Sequence, residues 1–213
     1  MAAQVALGRR YVALGDSYTI GTSVQPADSW PAQLTAVLAG GSDPGPLLLV
    51  ANLGINGATS GELIRDQLPM LDGWRPEFAT LLIGVNDVVR GVAADTYDAN
   101  VGTIFDALLD QLASDRIVTV AIPDYTVTPS GADYGDPRQQ SRQIRAFNSI
   151  MAGRSRERGV RYVNTFDLSL RAATDRTLVA ADGLHPSGVQ YGLWVERIAP
   201  MVDDLLSPGA LRA

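Results

Sequence analysis

Five short apolar runs, each long enough for a strand and too short for a helix, alternate along this chain with helical patterns, and no other feature restricts its fold as much. The first ends at Gly15 after Val12-Ala13-Leu14; the others are Leu47 to Leu53, Phe78 to Ile83, Ile117 to Ile122 and Val160 to Thr165. They lack the in–out alternation of a half-solvated strand, so both faces are expected to be covered, as in a parallel sheet between two helix layers. With 213 residues, 46% of them hydrophobic, and no low-complexity run, the chain reads as a single domain over residues 1–213. Sheets of this kind take ligands beyond the carboxyl ends of their strands, where strand order reverses.

The residues just past those ends are the candidates for chemistry. Ser17 follows the first strand in Gly15-Asp16-Ser17-Tyr18 and is a candidate nucleophile, although a serine there also serves as a helix cap. Gly57 follows the second, just before the capping-box signature Thr59/Glu62; glycine lets backbone approach a ligand, and N–H groups near a helix start favour negative charge. Asn86 follows the third in Gly84-Val85-Asn86-Asp87, and with the next helix expected to start at Asp95, its amide has no structural task. His185 stands in Asp182-Gly183-Leu184-His185-Pro186 before a helix opened by Ser187. That position disfavours an imidazolium, which a carboxylate from Asp182 offsets while fixing the tautomer. Together these are the parts needed for acyl transfer: a hydroxyl, a base, a carboxylate to orient the base, and donors for an oxyanion.

Composition removes other chemistries. The chain has no cysteine, which excludes thiol nucleophiles, cysteine zinc sites and iron–sulfur clusters. All 17 Lys+Arg residues are arginine, which excludes a P-loop lysine, a lysine Schiff base and a Ser-Lys dyad. His185 is the only histidine, leaving one obvious general base near neutral pH. The expected partner is a small molecule and no cofactor is called for. A net charge of −6 argues against nucleic acid. No run is long enough to span a membrane, and Met1 to Gly8 lacks signal-peptide character, so a cytoplasmic location is expected.

Between the strands, Tyr18 to Gln25 reads as a loop. A helix capped by Asp28 or Ser29 carries Trp30, Leu34 and Leu38 inward, and Gly40, Gly41, Pro44, Gly45 and Pro46 break the chain after it. Pro123 to Asp136 is the longest loop, a wall or lid without hydrophobic periodicity in which Tyr125 and Tyr134 join Tyr18 as candidate pocket walls. Asp136 caps an arginine-rich helix whose Arg154, Arg156 and Arg158 read as a solvated face. The closing helix is expected to turn Val189, Leu193, Trp194, Ile198, Val202 and Leu205 inward and to kink at Pro200.

The blocks Gly15-Asp16-Ser17-Tyr18, Asn52 to Thr59, Gly84-Val85-Asn86-Asp87 and Asp182 to Pro186 resemble, in order, the four signature blocks of the SGNH hydrolases, also called GDSL esterases/lipases. One departure is Tyr18 where the name-giving pattern has leucine; it changes a pocket wall and removes no catalytic group. The resemblance implies an α/β, flavodoxin-like three-layer α/β/α sandwich with a five-stranded parallel sheet of order 2-1-3-4-5. It also implies Ser17 as nucleophile, His185 as base, Asp182 as its orienting acid, and Gly57, Asn86 and the Ser17 N–H as the oxyanion hole. The implied activity is serine ester hydrolysis through an acyl-enzyme, with short acyl groups preferred for want of an apolar cover for a long chain. The same parts suit an acyltransferase, thioesterase or lysophospholipase. A flavodoxin-like phosphate-binding module, or a metal hydrolase built on Asp16, Asp87 and Asp182, are the readings from other classes; the α/β-hydrolase alternative is weakened because no serine of the chain sits in a Gly-x-Ser-x-Gly elbow.

Overall fold

In a computed structural model, which describes residues 8–39 and 46–207, the run Arg9–Gly15 forms β1, buried from Tyr11 to Gly15. It sits inside a five-stranded sheet with β2 (Leu47–Asn52) on one side and β3 (Phe78–Leu82), β4 (Ile117–Val120) and β5 (Arg161–Val163) on the other. All neighbours are parallel and the order is 2-1-3-4-5, as expected. Burial follows position. Every residue of β3 and β4 is buried, because helices cover both faces, whereas β2 and β5 at the edges keep residues half-buried or exposed. Strand order reverses between β1 and β3, whose registers run from Tyr11 opposite Phe78 to Gly15 opposite Leu82.

Two helix layers flank the sheet. On one face α2 (Trp30–Leu38) packs against α9 (Gly188–Leu206); on the other, α3 (Ser60–Asp66), α6 (Ala94–Leu109) and α7 (Pro137–Glu157) lie side by side. Short helices complete the set: α1 (Ser17–Ile20), α4 (Leu71–Trp74), α5 (Val85–Val89) and α8 (Phe166–Ser169). The inward residues of α2, α6 and α7 are largely those expected from their spacing, and Tyr97 of α6 stacks on Phe147 of α7 at 4.2 Å.

Several expectations are corrected. Tyr18 to Gln25 is not all loop, since α1 occupies its start, and Asn86 and Asp87 lie inside α5, with α6 following a cap at Ala93 rather than Asp95. Both helices are a single turn, too short for periodicity to reveal. Val189 of α9 is exposed, while Tyr191 and Val195 turn inward with Trp194; Pro200 lies inside the helix, as the sequence suggests. Arg154 and Arg158 are not merely solvated: Arg154 pairs with Asp98 at 2.6 Å and Arg158 with Asp106, joining α7 to α6. The breaks at Gly40, Gly41, Pro44 and Gly45, and the segment Met1 to Leu7, lie outside the described residues. Among the described residues no helix is long and apolar enough to cross a membrane.

Candidate active site

The site begins where β1 stops. Gly15 passes so close to β3 and α1 that a Cβ there would meet Leu82 O and Thr19 Oγ1 at 2.2 Å, so only glycine fits. Its N–H and carbonyl are taken by the buried amide of Gln67, at 3.0 and 2.7 Å, which fastens the strand end to the far end of α3. Asp16 then caps α1 by accepting the Tyr18 N–H at 3.0 Å. Ser17 is thus the first residue of a helix, nearly buried, and its own N–H has no partner within that helix.

Ser17 Oγ lies 2.9 Å from His185 Nε2, and His185 Nδ1 lies 2.6 Å from Asp182 Oδ2. With Nδ1–H donating to the carboxylate, Nε2 is left to accept from the serine. Asp182 Oδ1 meanwhile accepts the backbone N–H groups of Leu184 and His185 at 2.9 and 3.0 Å. Partial burial of this carboxyl works to raise its pKa, but hydrogen bonds from Ser23, Leu184 and His185 outweigh it and hold the group down to about 2, an anion at any ordinary pH. The loop is closed by Ala180 N–H on His185 O at 2.8 Å and buttressed by Ser130 N–H on Gly183 O at 2.9 Å. The ring of Tyr18 lies beside the imidazole, centroids 5.4 Å apart.

Across the cleft, Gly57 adopts φ +77° ahead of α3, whose Thr59/Glu62 capping box is formed as the sequence suggests. Two residues of α5 and its C-cap, Arg90, hold this segment. Asn86 Nδ2 donates to Ala58 O at 3.0 Å, leaving its second N–H unspent. Asp87, buried and with a pKa raised by that burial, accepts from Ser60 N at 2.8 Å and Ser60 Oγ at 2.5 Å. Arg90 donates to Gly57 O at 2.7 Å and pairs with Glu62 at 3.0 Å.

Ser17, Gly57, Asn86 and His185 therefore share the lining of one cleft of about 360 Å³, with Asp182 behind the histidine. Tyr18, Val85, Val89, Tyr125, Tyr134 and Leu184 form its apolar walls, and no charged side chain other than the ionisable His185 lines it. The Pro123 to Asp136 segment is more committed to the core than its lack of periodicity implies. Tyr125 is buried and donates its hydroxyl to Gln140 Oε1, while Tyr134 stays exposed at the rim. Asp16, Asp87 and Asp182 are engaged with separate partners, and among the described residues no group of three or more His, Cys, Asp or Glu is arranged to hold a metal. Ser23, Gln67 and Arg90 were not singled out by the sequence. Their partners are 159, 52 and 33 positions away, beyond any local pattern.

Comparison with known proteins fits this arrangement. An arylesterase of Vibrio mimicus is 27% identical over 115 residues, which is 54% of this chain and 56% of that protein, so the chain matches about half the length of this curated relative. Among solved structures, TesA superposes with a TM-score of 0.71 at 21% identity, covering 93% of this chain and 100% of that one. An acetyl xylan esterase variant of Geobacillus stearothermophilus gives 0.72 at 18%, covering 92% and 94%. Both share the fold. The profile of the GDSL-like lipase/acylhydrolase family matches residues 13–193, nearly the whole described chain, and this protein belongs to that family, the SGNH hydrolases.

Proposed function

We propose that this protein hydrolyses carboxylic esters of short acyl groups through an acyl-enzyme on Ser17. The observation that carries the reading is the continuous hydrogen-bond chain from Ser17 Oγ through His185 to Asp182, at 2.9 and 2.6 Å, opening into a cleft that Gly57 and Asn86 also line. Ser17 Oγ attacks the ester carbonyl while His185 Nε2 takes its proton, and Asp182 holds the imidazole in the required tautomer and stabilises the imidazolium. The carbonyl oxygen gathers charge toward the N–H groups of Ser17 and Gly57 and the free N–H of Asn86. The imidazolium then protonates the departing alcohol, and water repeats the sequence on the acyl-serine to release the acid and regenerate Ser17. Esterase activity agrees with the names borne by the arylesterase and acetyl xylan esterase relatives. A modest cleft walled by Tyr18, Tyr125 and Tyr134 favours short acyl chains.

The test is turnover of a p-nitrophenyl ester series from acetate to palmitate. Maximal kcat/KM at the short end, abolished by Ser17→Ala, is expected. Absence of ester turnover, turnover that survives Ser17→Ala, or a preference for palmitate would contradict the reading.

A further inference from the structure

Ser23, in the turn that leaves α1, has φ +67°, in the left-handed region that glycine adopts freely and serine does not. Among the described residues the only other non-glycine there is Arg75, and Arg75 has a local reason: it terminates α4 with its N–H on Leu71 O at 2.9 Å. Ser23 terminates no helix, since the left-handed cap of α1 is Gly21. What Ser23 does have is a hydroxyl that donates to Asp182 Oδ2 at 2.6 Å, the same oxygen that accepts from His185 Nδ1 at 2.6 Å. Glycine would suit this backbone better and would lose that bond. A disfavoured conformation kept at a residue touching the catalytic acid points to function.

We propose that Ser23 is a positioning residue of the triad: its hydroxyl fixes Asp182 Oδ2 against the imidazole and, by drawing on that oxygen's charge, sets the pH at which His185 becomes a base. The inference rests on the triad reading above. Asp182 Oδ1 is fixed by two backbone N–H groups of its own loop, whereas Oδ2 has only Ser23 to hold it from outside, linking the turn after the nucleophile to the loop of the base. Without the hydroxyl, more of the carboxylate's charge acts on the imidazole, the imidazolium is favoured, and the acidic limb of activity moves to higher pH. The other ionisable groups around the imidazole and its carboxylate are Tyr18 from α1, with Asp16 behind it, Asp124, Tyr125 and Tyr134 from the segment before α7, and Tyr191 from α9. None of them touches Oδ2, and no arginine is among the residues lining the cleft.

Because His185 is the only histidine, its ring-proton resonance reports its titration directly, whether or not the enzyme turns over. Ser23→Ala and Ser23→Gly are expected to raise that midpoint by about 0.3–1 pH unit and to lower plateau kcat/KM about three- to tenfold. Ser23→Thr keeps the hydroxyl and so the wild-type midpoint, although a β-branched residue suits this φ worse and lowers the melting temperature. Ser23→Gly should melt a few degrees above Ser23→Ala, so midpoint and stability separate across the series. In an Asp182→Asn background the Ser23→Ala shift should vanish. An unshifted midpoint in Ser23→Ala, a midpoint that follows melting temperature rather than the hydroxyl, or a shift that persists in Asp182→Asn would overturn the proposal. Failure of the triad reading itself would show separately, as ester turnover retained by Ser17→Ala.

Discussion

Gly57 and Asn86 on one side of the cleft, and Asp182 and His185 on the other, are held by different kinds of structure. The first pair sits between the start of α3 and α5, tied by side-chain links from three residues: Asn86 to Ala58, Asp87 to Ser60 and Arg90 to Gly57 and Glu62. Ser60 and Asp87 at its centre are fully buried. The second pair rides an irregular loop whose side chains stay 31% and 13% exposed and whose supports are the exposed Ser23 and the half-buried Ser130. The difference suits what each side is proposed to do. Donors for a developing charge act best when their dipoles are already aimed and need not reorganise, which a hydrogen-bonded lattice with the buried Asp87–Ser60 pair at its centre secures. An imidazole that accepts and returns a proton in each half-reaction needs a fixed partner on Nδ1 and access on Nε2, which a partly solvated loop supplies.

The comparison can be broken at either side. His185→Ala is expected to have the largest effect, a loss of about 10⁴-fold or more in kcat together with the acidic limb, because the chain holds no second histidine. Retention of near-original ester turnover would mean that the base lies elsewhere. Asn86→Ala should cost roughly 10²–10³ in kcat with little change in KM, since its free N–H acts on charge absent from the ground state. An unchanged kcat on a substrate whose acylation limits the rate would reduce Asn86 to a support for Ala58. Arg90→Met sharpens the contrast: it leaves the proposed oxyanion donors present and removes the ties on Gly57 O and Glu62, so kcat should fall about tenfold with KM nearly constant. A rise in KM at constant kcat would instead place Arg90 in substrate binding.

The smallest expected effect lies beneath Ser17, at Asp16. Burial pushes its carboxyl up to about 8, with Asp87 adding to the shift and the Tyr18 N–H opposing it. An unfolded chain releases that proton near pH 4, so the stability Asp16 contributes is full below about pH 4 and declines as pH climbs toward 8. Asp16→Asn, of the same shape without the charge, should match wild type in melting temperature near pH 4 and exceed it increasingly toward pH 9. A difference that stays constant over that range would contradict the shift.

The architecture was legible because β1, β3 and β4 are buried on both faces and so appear as largely apolar runs without in–out alternation, and because Thr59, Asp136 and Ser187 advertise helix starts in adjacent residues. The candidate residues that meet in the cleft were legible for a related reason: they stand just past a strand end or shortly before a helix cap. What escaped was whatever depends on distant partners or on a single helical turn. Helices α1 and α5 are too short to carry a period, and the same brevity hid that Asn86, Asp87 and Arg90 face one segment together. Ser23, Gln67 and Arg90 resemble ordinary polar residues until folding brings Asp182, Gly15 and Gly57 to them.

The central claim is that Ser17 carries the acyl group, and covalent labelling by a fluorophosphonate followed by peptide mass mapping tests it without any assumption about the natural ester. The account predicts stoichiometric modification of the peptide containing Ser17, lost in Ser17→Ala and strongly slowed in His185→Ala. Modification of a different serine, or equal labelling of Ser17→Ala, would contradict it.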